Sequence, residues 1–515
     1  MNRHVVRILL VAFAMLSFVA FNVDFAHGQA ISGNLTGLVT DATGATVNGA
    51  SVEIVNLGTG QKVTTTTRGV GEYLFSELPV GTYRVTVKAA GFNTTNLASV
   101  PVELNKTNTA NVQLQVGTGS TTVEVSGVAP PVDTSTAQLQ TTYNEAFSKD
   151  LGLTSNGQGG GVLNLSMLSP GVTNASSMGD GTGPSVGGQR PRDNNFTVEG
   201  VDNNNKSVTG ALITVPNDAV EDFTLISNQF NSEFGHSSGG QFNTTVKSGT
   251  NSFHGSLYEY FRNRNLNAVD NAFVNQGLTK NPRFDSNRFG GTFGGPILKN
   301  KLFFFVNYER NPVGLTSGTP AQIFTPTAAG VAAISADPAL SQTNFAIFKQ
   351  YVPVAPSSAG AAGCIAYAGA PANGPCAAGT VDVGQVSIVP PAFQNYANFV
   401  LSLDYNMSEK DQLRGRYIFN NFNGPDTAAQ LPAFFVNQPI KYRLLNFSEY
   451  HTFTSTLLNE FRVGFNRFDD VLPVGPQKYP GLDAFPNIVL SDLGGGMNIG
   501  PDPNAPQFTL SLIHI

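Results

Sequence analysis

The chain has 515 residues, of which 12% are charged, and its 29 basic and 35 acidic residues give a formal net charge of −6. Soluble domains usually carry about 25% charged residues, and the mild acidity excludes the strongly basic surface that is typical of nucleic-acid binding. Abundant glycine, threonine and phenylalanine at such low charge favour β-structure over helix. The composition therefore predicts a mainly β protein that does not bind nucleic acid.

The first 30 residues have the composition of a secretory signal peptide. Arg3 and Arg7 precede an apolar run from Ile8 to Phe21, and small residues follow near Gly28 and Ala30. A basic start, an apolar middle and a small-residue cleavage region are the features of such peptides. A membrane anchor helix is the alternative, although the apolar run is short for a membrane span. We therefore predict an exported protein with a signal peptide over residues 1–30.

Residues 31–117 form the first predicted domain, in which short β-branched runs are separated by turn signals such as "ATGA", "LGTG" and "LPVGTY". Within "TYRVTVKA", Tyr83, Val85 and Val87 alternate with polar residues, which is the pattern of a half-buried strand. Short strands at this spacing predict a small β-sandwich.

This domain resembles the carboxypeptidase regulatory-like domain, a prealbumin-like sandwich with a carbohydrate-binding-like fold. The residues that carry the resemblance are Gly37–Thr40, Gly44–Ala45, Gly49–Ala50, Gly71–Tyr73 and Leu78–Tyr83. The resemblance implies an accessory module without catalytic residues.

A linker then contains "TTVEVSG", from Thr121 to Gly127. This segment resembles the short extended segment with which energising partners pair in outer-membrane receptors. The resemblance implies that Thr121, Val123 and Val125 contact a TonB-type protein. The alternative is one more strand that leads out of the sandwich.

The second predicted domain, residues 118–250 with the linker included, is rich in glycine and asparagine. Its most informative stretches are "GGQRPRDNNFTVEGVDNNN", Gly187–Asn205, and "NQFNSEFGHSSGGQFNTTVKSGTN", Asn228–Asn251. In this order they resemble the plug domain of TonB-dependent outer-membrane receptors, although that family usually has aspartate where this chain has Glu199. Pro216 is expected to begin a short helix that leads into a strand.

The resemblance to a plug suggests which residues contact a ligand. We expect these residues on the outward loops of the plug: Arg190, Arg192, Asn194, Asn195, Asp202, Asn203 and Asn204. The two arginines are suited to an anionic ligand, and the alternative is that they pair within the plug. A calcium site at "DNNN" is not predicted, because Lys206 stands where EF-hand spacing requires an oxygen ligand.

Residues 251–515 consist of alternating segments rich in phenylalanine and tyrosine. In "NFVLSLDYNMSEKDQLRGRYIFN", apolar residues alternate with polar ones on both sides of the short turn "SEKD". The predicted apolar face carries Phe399, Leu401, Leu403, Tyr405, Leu413, Gly415, Tyr417 and Phe419. "NEFRVGFNR" repeats the pattern with Phe461, Val463 and Phe465. Such strands are typical of a transmembrane β-barrel, and a soluble sandwich is the alternative.

The stretch "RFGGTFGGPILKNKLFFFVNYER", Arg288–Arg310, divides its phenylalanines between two faces. Leu302, Phe304, Val306 and Tyr308 are expected on one face, opposite a mixed face, and the paired glycines that precede them permit close approach of two backbones. The stretch resembles a motif of the barrel in Oar-like TonB-dependent transporters, as does "KSGTNSFHGSLYEYFRN", Lys247–Asn263. We therefore predict a strand pair of an outer-membrane barrel.

The two cysteines, Cys364 and Cys376, lie within "CIAYAGAPANGPC". In an exported chain, such a close pair predicts a disulfide, which contributes about 3 kcal/mol in the chain-entropy treatment. Two free thiols are the alternative. Metal binding is not predicted, because the pair lacks the CxxC spacing and has no histidine nearby.

No catalytic motif is present in the sequence. The six histidines form neither an HExxH motif nor a metal-binding pair four residues apart. "GQGGG" and "GTGSTT" resemble neither a Walker A loop nor a dinucleotide fingerprint. We predict no enzyme activity, no cofactor and no metal site.

Together the resemblances imply a TonB-dependent transporter of the Oar-like type in the outer membrane of a Gram-negative bacterium. Its partners would be a TonB-type energising protein, outer-membrane lipid and an unknown small ligand, such as a metal chelate, vitamin, sugar or peptide. An adhesion or signalling protein that retains the barrel without transport is one alternative. A secreted carbohydrate-binding sandwich protein is another.

The length of the third region suggests an incomplete barrel. Receptors of this family are expected to close a barrel of about 22 strands at roughly 10 residues per strand, whereas 264 residues follow Asn251. The last residues, "SLIHI", lack the aromatic end of a final strand and are similar to translated adapter sequence. An open sheet leaves backbone groups unpaired in lipid, so we expect that this chain alone does not insert as a stable barrel.

Overall fold

The structure is a computed structural model that describes most of the chain. It describes residues 32–117, 122–125, 137–145, 147, 161–174, 183–205, 210–231, 234–275, 277, 279–316, 321–360, 363–367, 369–426, 429–454, 457–470, 480, 488–490, 497–500 and 508–514. The predicted signal peptide and Thr121 therefore lie outside the described residues.

Nine strands form the first region, called here the sandwich. They are β1 (Ser32–Asp41), β2 (Ser51–Asn56), β3 (Lys62–Thr66), β4 (Glu72–Pro79), β5 (Gly81–Lys88), β6 (Thr94–Val102), β7 (Thr107–Thr109), β8 (Val112–Leu114) and β9 (Thr122–Val125). One sheet has the order β4-β1-β7, with β8 also pairing with β1, and the other has the order β3-β2-β5-β6-β9.

The alternating residues of these strands build the core between the two sheets. Tyr83, Val85 and Val87 are at most 2% exposed, as their alternation predicts. They pack with Leu35, Val39, Val52, Ile54, Tyr73, Phe75, Leu97, Val100, Val112 and Leu114. This apolar burial is the main favourable contribution to the stability of the sandwich.

The second region, called here the plug, contains a five-stranded sheet. The plug as a whole has the strands β10 (Leu139–Asn144), β11 (Val172–Asn174), β12 (Pro184–Val186), β13 (Asn195–Val198), β14 (Val201–Asp202), β15 (Val220–Asn228) and β16 (Gln241–Val246). The sheet has the order β10-β15-β16-β13-β14, and β11 pairs with β12 separately. Short 3₁₀ helices cover Gly161–Leu168, Pro191–Asp193 and Asn217–Ala219. The last of these follows Pro216, as expected.

An antiparallel eight-stranded sheet, called here the barrel sheet, forms the third region. Its strands in spatial order are β17 (His254–Asn263), β18 (Phe284–Leu298), β19 (Leu302–Thr316), β23 (Pro391–Asn406), β24 (Asp411–Asp426), β25 (Val436–Thr454), β26 (Leu457–Asp470) and β29 (Phe508–His514). Helix α1 (Asn271–Asn275) lies in the connection between β17 and β18, and a 3₁₀ helix covers Pro432–Phe434 between β24 and β25. The final residues thus pair with β26 as an eighth strand.

The two faces of the barrel sheet differ as the alternation predicts. Phe303 and Phe305 are 0% and 1% exposed on the inner face, whereas Tyr308 is 51% exposed on the outer face. Gly290 allows a close approach between β18 and its neighbours, since a Cβ atom there would lie 2.4 Å from the carbonyl oxygen of Tyr308. The strand pair predicted from the glycine and phenylalanine pattern is present as β18 and β19.

A smaller unit, called here the lobe, connects β19 to β23. It contains β20 (Ala321–Pro326), α2 (Ala328–Ser335), α3 (Gln342–Tyr351), β21 (Cys364–Ala366) and β22 (Thr380–Ile388). The predicted disulfide joins Cys364 to Cys376. Strands β27 (Ile488–Leu490) and β28 (Met497–Ile499) form a separate pair, and Ile499 packs into the apolar core of the lobe. Among the described residues, no helix is both long and apolar enough to cross a membrane.

Candidate functional site

The connections of the barrel sheet distinguish its two ends. Short turns at residues 299–301 and 407–410 lie at one end, called here the short-turn end, together with the paired residues Thr454 and Leu457 that end β25 and begin β26. The other end, called the long-loop end, carries the lobe, into whose core Ile499 packs. These two ends provide the reference for locating the plug residues.

Apolar side chains of the barrel sheet and the plug share one core. Phe305, Val400, Ile418 and Leu444 are at most 1% exposed. They lie on the inner face of the sheet, which the alternation in the sequence predicts to be mainly polar. They cluster with plug residues that include Phe196, Leu212, Ile213, Phe223 and Phe242. The plug is therefore held on the inner face of the sheet by the same burial that stabilises a single domain.

A buried ion-pair network adds polar contacts between the two regions. Arg416 Nη1 lies 2.9 Å from Asp404 Oδ1 on the neighbouring strand, and Arg416 Nε lies 3.6 Å from Glu199 Oε2 of the plug. The side chains of Arg416 and Glu199 are each 2% exposed. Arg416 also donates a hydrogen bond to Ser248 Oγ. Removing one member of such a network leaves a buried charge without compensation.

Glu199 fixes the plug turn at which this network forms. Its φ of 52° places it in the left-handed region, directly before Gly200 in the turn between β13 and β14. Its Oε1 atom accepts a hydrogen bond from the amide of Val246, at 2.7 Å. The Glu199 carboxylate thus contacts both the plug backbone and Arg416.

Asparagine and arginine side chains of the barrel sheet bind the same turn through its backbone. Asn446 donates to the carbonyl oxygen of Glu199, Arg462 to that of Gly200 and Asn466 to that of Asp202. The alternation in β26 predicts Arg462 and Asn466 on the face opposite Phe461, Val463 and Phe465, but no sequence signal indicates which plug groups they bind.

The predicted ligand residues Asn194, Asn195 and Asn203 are internal to the plug. They are 3–4% exposed. Asn194 binds the backbone of Pro184 and Gly240, Asn195 binds Gln241, and Asn203 binds the backbone of Ile213. Their amides satisfy buried backbone and side-chain groups, as buried polar groups require. The structure thus gives these asparagines a role in holding the plug loops together.

Asp202 and Asn204 are half-buried at the edge of the plug sheet. Asn204 donates to Asn195 Oδ1 at 2.7 Å, and its own Oδ1 accepts from the amide of Phe196. Asp202 Oδ1 accepts from the amide of Asn204 at 2.8 Å. Through these hydrogen bonds, the chain segment after β14 is held against strand β13.

Arg190 and Arg192 lie on an exposed loop of the plug. Strands β13 and β16 are parallel, and both run toward the short-turn end, where Ser248 meets Arg416. The loops that precede these strands therefore lie on the side of the long-loop end. The second of these loops joins the first, because Ser237 Oγ donates to the carbonyl oxygen of Asp193 at 2.8 Å. Exposed His236 lies on it.

The predicted partner-contact segment is a strand at the edge of the sandwich. Val123 and Val125 belong to β9, which pairs with β6 in parallel, with Thr94 opposite Thr122 and Leu97 opposite Val125. The alternative of one more strand leading out of the sandwich therefore describes its conformation in this structure. A strand at a sheet edge retains one unpaired side of its backbone.

The sandwich also contacts the plug through buried Asp222. The amide of Leu104, in the loop after β6, donates to Asp222 Oδ2 at 3.4 Å, and Gln140 donates to the carbonyl oxygen of Leu104. Burial, reinforced by the neighbouring Glu221 carboxylate, raises the pKa of Asp222 to about 8. Burial also raises the pKa of Glu221. Burial thus disfavours the charged forms of both carboxyl groups at the junction.

One group of potential metal ligands occurs among the described residues. Asp411, Glu449 and His451 lie together on the outer face of β24 and β25. Asp411 and His451 are direct cross-strand partners, with His451 Nδ1 2.5 Å from Asp411 Oδ1, and Glu449 accepts a hydrogen bond from Asn459. These hydrogen bonds account for the arrangement without an ion.

Comparisons with known proteins give two matching families and one curated relative. Residues 245–512 match the family described as "Outer membrane beta barrel domain", and residues 34–115 match the family described as "Carboxypeptidase regulatory-like domain". A curated relative, the TonB-dependent transporter Oar of Myxococcus xanthus, is 28% identical over 252 residues. The match covers 48% of this chain and 23% of the relative.

Solved structures give weaker likenesses. The outer membrane transporter YddB from Escherichia coli has 13% identity and a TM-score of 0.41, over 64% of this chain and 39% of that protein. The ferric enterobactin receptor of Pseudomonas aeruginosa has 11% identity and a TM-score of 0.41, over 73% of this chain and 45% of that protein. The chain spans less than half the length of each.

Proposed function

Because this chain belongs to the outer membrane β-barrel family and is an outer-membrane protein of the TonB-dependent receptor type, we propose that it forms part of a transporter. It captures a small ligand at the cell surface and imports it with energy from an inner-membrane TonB-type protein. In outer-membrane barrels the short turns face the periplasm and the longer loops face outward. The short-turn end is thus the periplasmic end.

The observation that supports transport best is the position of the plug. It fills the inner face of the barrel sheet through a shared apolar core and the network around Arg416. Its loops before β13 and β16 lie toward the exterior, whereas β9 and the sandwich lie toward the periplasm. This polarity is what a protein needs if it binds a ligand on one side and is energised from the other.

The ligand contacts in this proposal come from the outward loops of the plug. Exposed Arg190 and Arg192, with His236 on the adjoining loop, supply the donors, and Asn194, Asn195 and Asn203 hold these loops in shape. Guanidinium groups bind carboxylates and phosphates well because their donors are arranged as a planar fork. We therefore expect the ligand to present an anionic group.

Partner binding tests the energised part of the proposal. The periplasmic domain of a TonB-type protein is titrated against the purified chain and against Val123→Pro, which removes a backbone donor from β9. Val123→Thr retains the backbone donor and serves as the control. We expect binding by the wild type and the control and loss of binding by the proline variant. Equal binding by all three proteins would exclude β9 as the contact.

Uptake separates transport from the alternative of a barrel-bearing adhesion or signalling protein. Cells that carry the natural gene are given a labelled ferric chelate, a vitamin, an oligosaccharide or a peptide, with and without an uncoupler of the proton gradient. Transport predicts accumulation of one probe that the uncoupler and Val123→Pro both abolish. Surface binding that survives both treatments without accumulation would support the alternative.

A further inference from the structure

The sandwich is fastened to the periplasmic end of the barrel sheet through one asparagine. The backbone amide of Asn251 donates to the carbonyl oxygen of Gly58 at 2.9 Å, and its side-chain amide donates to that of Thr59 at 2.8 Å. The same side chain exchanges hydrogen bonds with Asn300 in the turn between β18 and β19. Asn251 thus joins the sandwich, the end of the plug and the barrel turn.

A cavity of about 430 Å³ lies where these three regions meet. The sandwich contributes the loop that contains Gly58 and the turn between β4 and β5, and the plug contributes Glu199, Thr245 and the residues after β16. The barrel sheet contributes Phe303, Asp404 and Arg416 among others. This cavity lies on the periplasmic side of the Arg416 network, where a ligand that had passed the plug would leave the barrel.

The sandwich extends further along the periplasmic ends of the strands. A second, smaller cavity has sandwich residues such as Phe75 and Tyr83 on one side. On its other side are Lys410 of the turn between β23 and β24, Tyr450 of β25 and Leu458 of β26. The sandwich therefore covers the strand ends from the turn after β18 to β26.

This docking differs from the way in which the plug is held. Among the described residues, the apolar core of the sandwich contains side chains of the sandwich alone, whereas the core of the plug includes Phe305 and Leu444 of the barrel sheet. Contacts through loops and amide groups are typical of domains that move relative to each other. The sandwich is therefore able to undock without loss of its own core.

We propose that the sandwich is a gate across the periplasmic exit of the barrel. Docked as in this structure, it forms one wall of the cavity below the plug, and a ligand leaves by this route only after the sandwich moves aside as an intact domain. The proposal rests on the proposed transport function for its physiological role, because β9, the expected pulling point, is a strand of the sandwich itself. Pulling on β9 would apply force to the gate.

A disulfide that locks the gate provides the first test. A Cβ atom on Gly58 would lie 3.8 Å from Thr250 Cβ, which is the usual Cβ separation in disulfides, about 3.8 Å. Gly58 is also absent from the glycines with positive φ, so a cysteine fits its backbone. We expect Gly58→Cys/Thr250→Cys to cross-link under mild oxidation in the full chain. Failure to cross-link would overturn the docked arrangement.

Labelling of the cavity then measures whether the sandwich controls access. Thr245→Cys places a thiol in the cavity wall, and a bulky maleimide–polyethylene glycol is the probe. Labelling that requires opening follows the population of the open state. We expect the oxidised lock to slow labelling of Cys at position 245 at least about tenfold, and Asn251→Ala to accelerate it about tenfold by removing side-chain hydrogen bonds.

Controls separate gating from general effects. Thr43→Cys, in an exposed turn of the sandwich, should react at the same rate in every background. Gln412→Cys lines the same cavity and replaces the first reporter if Thr245→Cys fails to fold. Equal labelling of the cavity reporter in the locked and unlocked chains would refute the gate. Because the assay contains neither ligand nor partner, failure of the transport proposal leaves its result unaffected.

Discussion

Plug side chains enter the core of the barrel sheet, whereas the sandwich touches that sheet through loops and turns. The plug shares a cluster of buried apolar residues with five barrel strands and places Glu199 against Arg416. The sandwich is held against the other two regions by hydrogen bonds of Asn251 and Leu104. A cavity lies between its surface and theirs. Both regions lie against the same barrel sheet, yet the free-energy cost of separating the plug from the sheet differs from that of separating the sandwich.

This difference shows what each region is suited to do. Separating the plug as a unit would expose apolar area that is now buried, at about 25 cal/mol per Å², and would leave buried charges unpaired. Undocking the sandwich breaks the hydrogen bonds of Asn251 and Leu104, which water can replace. We therefore expect local rearrangement within the plug and whole-domain movement of the sandwich.

The largest expected effect comes from Arg416→Ala. Its loss leaves buried Glu199 without its ion-pair partner and leaves Asp404 with only Arg414, whose Nε lies 3.8 Å away. We therefore expect destabilisation of the plug–barrel contact by about 3–5 kcal/mol. Chemical denaturation and limited proteolysis of the plug in the refolded chain would measure it. The control is Arg467→Ala, whose side chain is 43% exposed and should cost at most about 1 kcal/mol. Similar costs for both variants would contradict the difference between the two interfaces.

Two adjacent leucines of β25 test the shared core. Leu444 is 0% exposed against the plug, whereas Leu445 is 52% exposed on the outer face. We expect Leu444→Ala to destabilise the chain by about 2–5 kcal/mol through lost burial and a cavity. Leu445→Ala in detergent should cost less than about 1 kcal/mol. Denaturant unfolding of both variants makes the comparison, and a reversed order would show that the plug is not packed on this face.

The third prediction is that the stabilising contribution of Asp222, at the sandwich–plug contact, falls as the pH rises. Because burial raises the pKa of Asp222 to about 8 from its usual 3.8, the native state holds a proton that the unfolded state releases above about pH 4. The contribution of this group is therefore full below that pH and is lost as the pH rises toward 8, by up to about 1.4 kcal/mol per pH unit.

Asp222→Asn should flatten this slope, since the amide is neutral at every pH. The groups that influence Asp222 are Glu221, Glu103 and Lys106. Urea unfolding of the full chain between about pH 5 and 8 measures the slope. Asp41→Asn is the control, because hydrogen bonds from Thr43 lower the pKa of Asp41, so this group is ionised in both states over the measured range and its replacement should leave the slope unchanged. An unchanged slope in Asp222→Asn would rule out this carboxyl group as the source.

Asn251→Ala should have the smallest effect on stability. Its side-chain hydrogen bonds are partly solvated, and each such bond contributes about 1 kcal/mol. We expect little change in global unfolding but faster hydrogen exchange in the sandwich loop around Gly58 and in the turn around Asn300. A loss of global stability comparable to that of Arg416→Ala would mean that the sandwich is not a separable domain.

Much of the architecture could be predicted from the sequence because it depends on local periodicity. The two faces of β5, β19 and β24 follow directly from residues that alternate along the chain, and the structure confirms them. The disulfide also required only the spacing of two cysteines in an exported chain. The resemblance to TonB-dependent receptors rested on long motifs in the right order, and the matching families confirm it.

The residues that join the regions could not be predicted in the same way. Val400, Ile418 and Leu444 interrupt the polar inner face, and they are buried because the plug covers them. Asn194, Asn195 and Asn203 belong to polar, loop-like stretches that favour exposure, yet they satisfy buried groups of the plug. Composition indicates that a segment is polar, but it does not indicate which backbone groups need partners.

The sequence by itself determined the strands, their two faces and the order of sandwich, plug and barrel sheet, since these depend on neighbours along the chain. Only the tertiary structure decided that Arg416 meets Glu199, that β9 pairs with β6 and that Asn251 connects three regions. These contacts join residues far apart in the chain. They depend on how folded surfaces fit together, which no local pattern of side chains specifies.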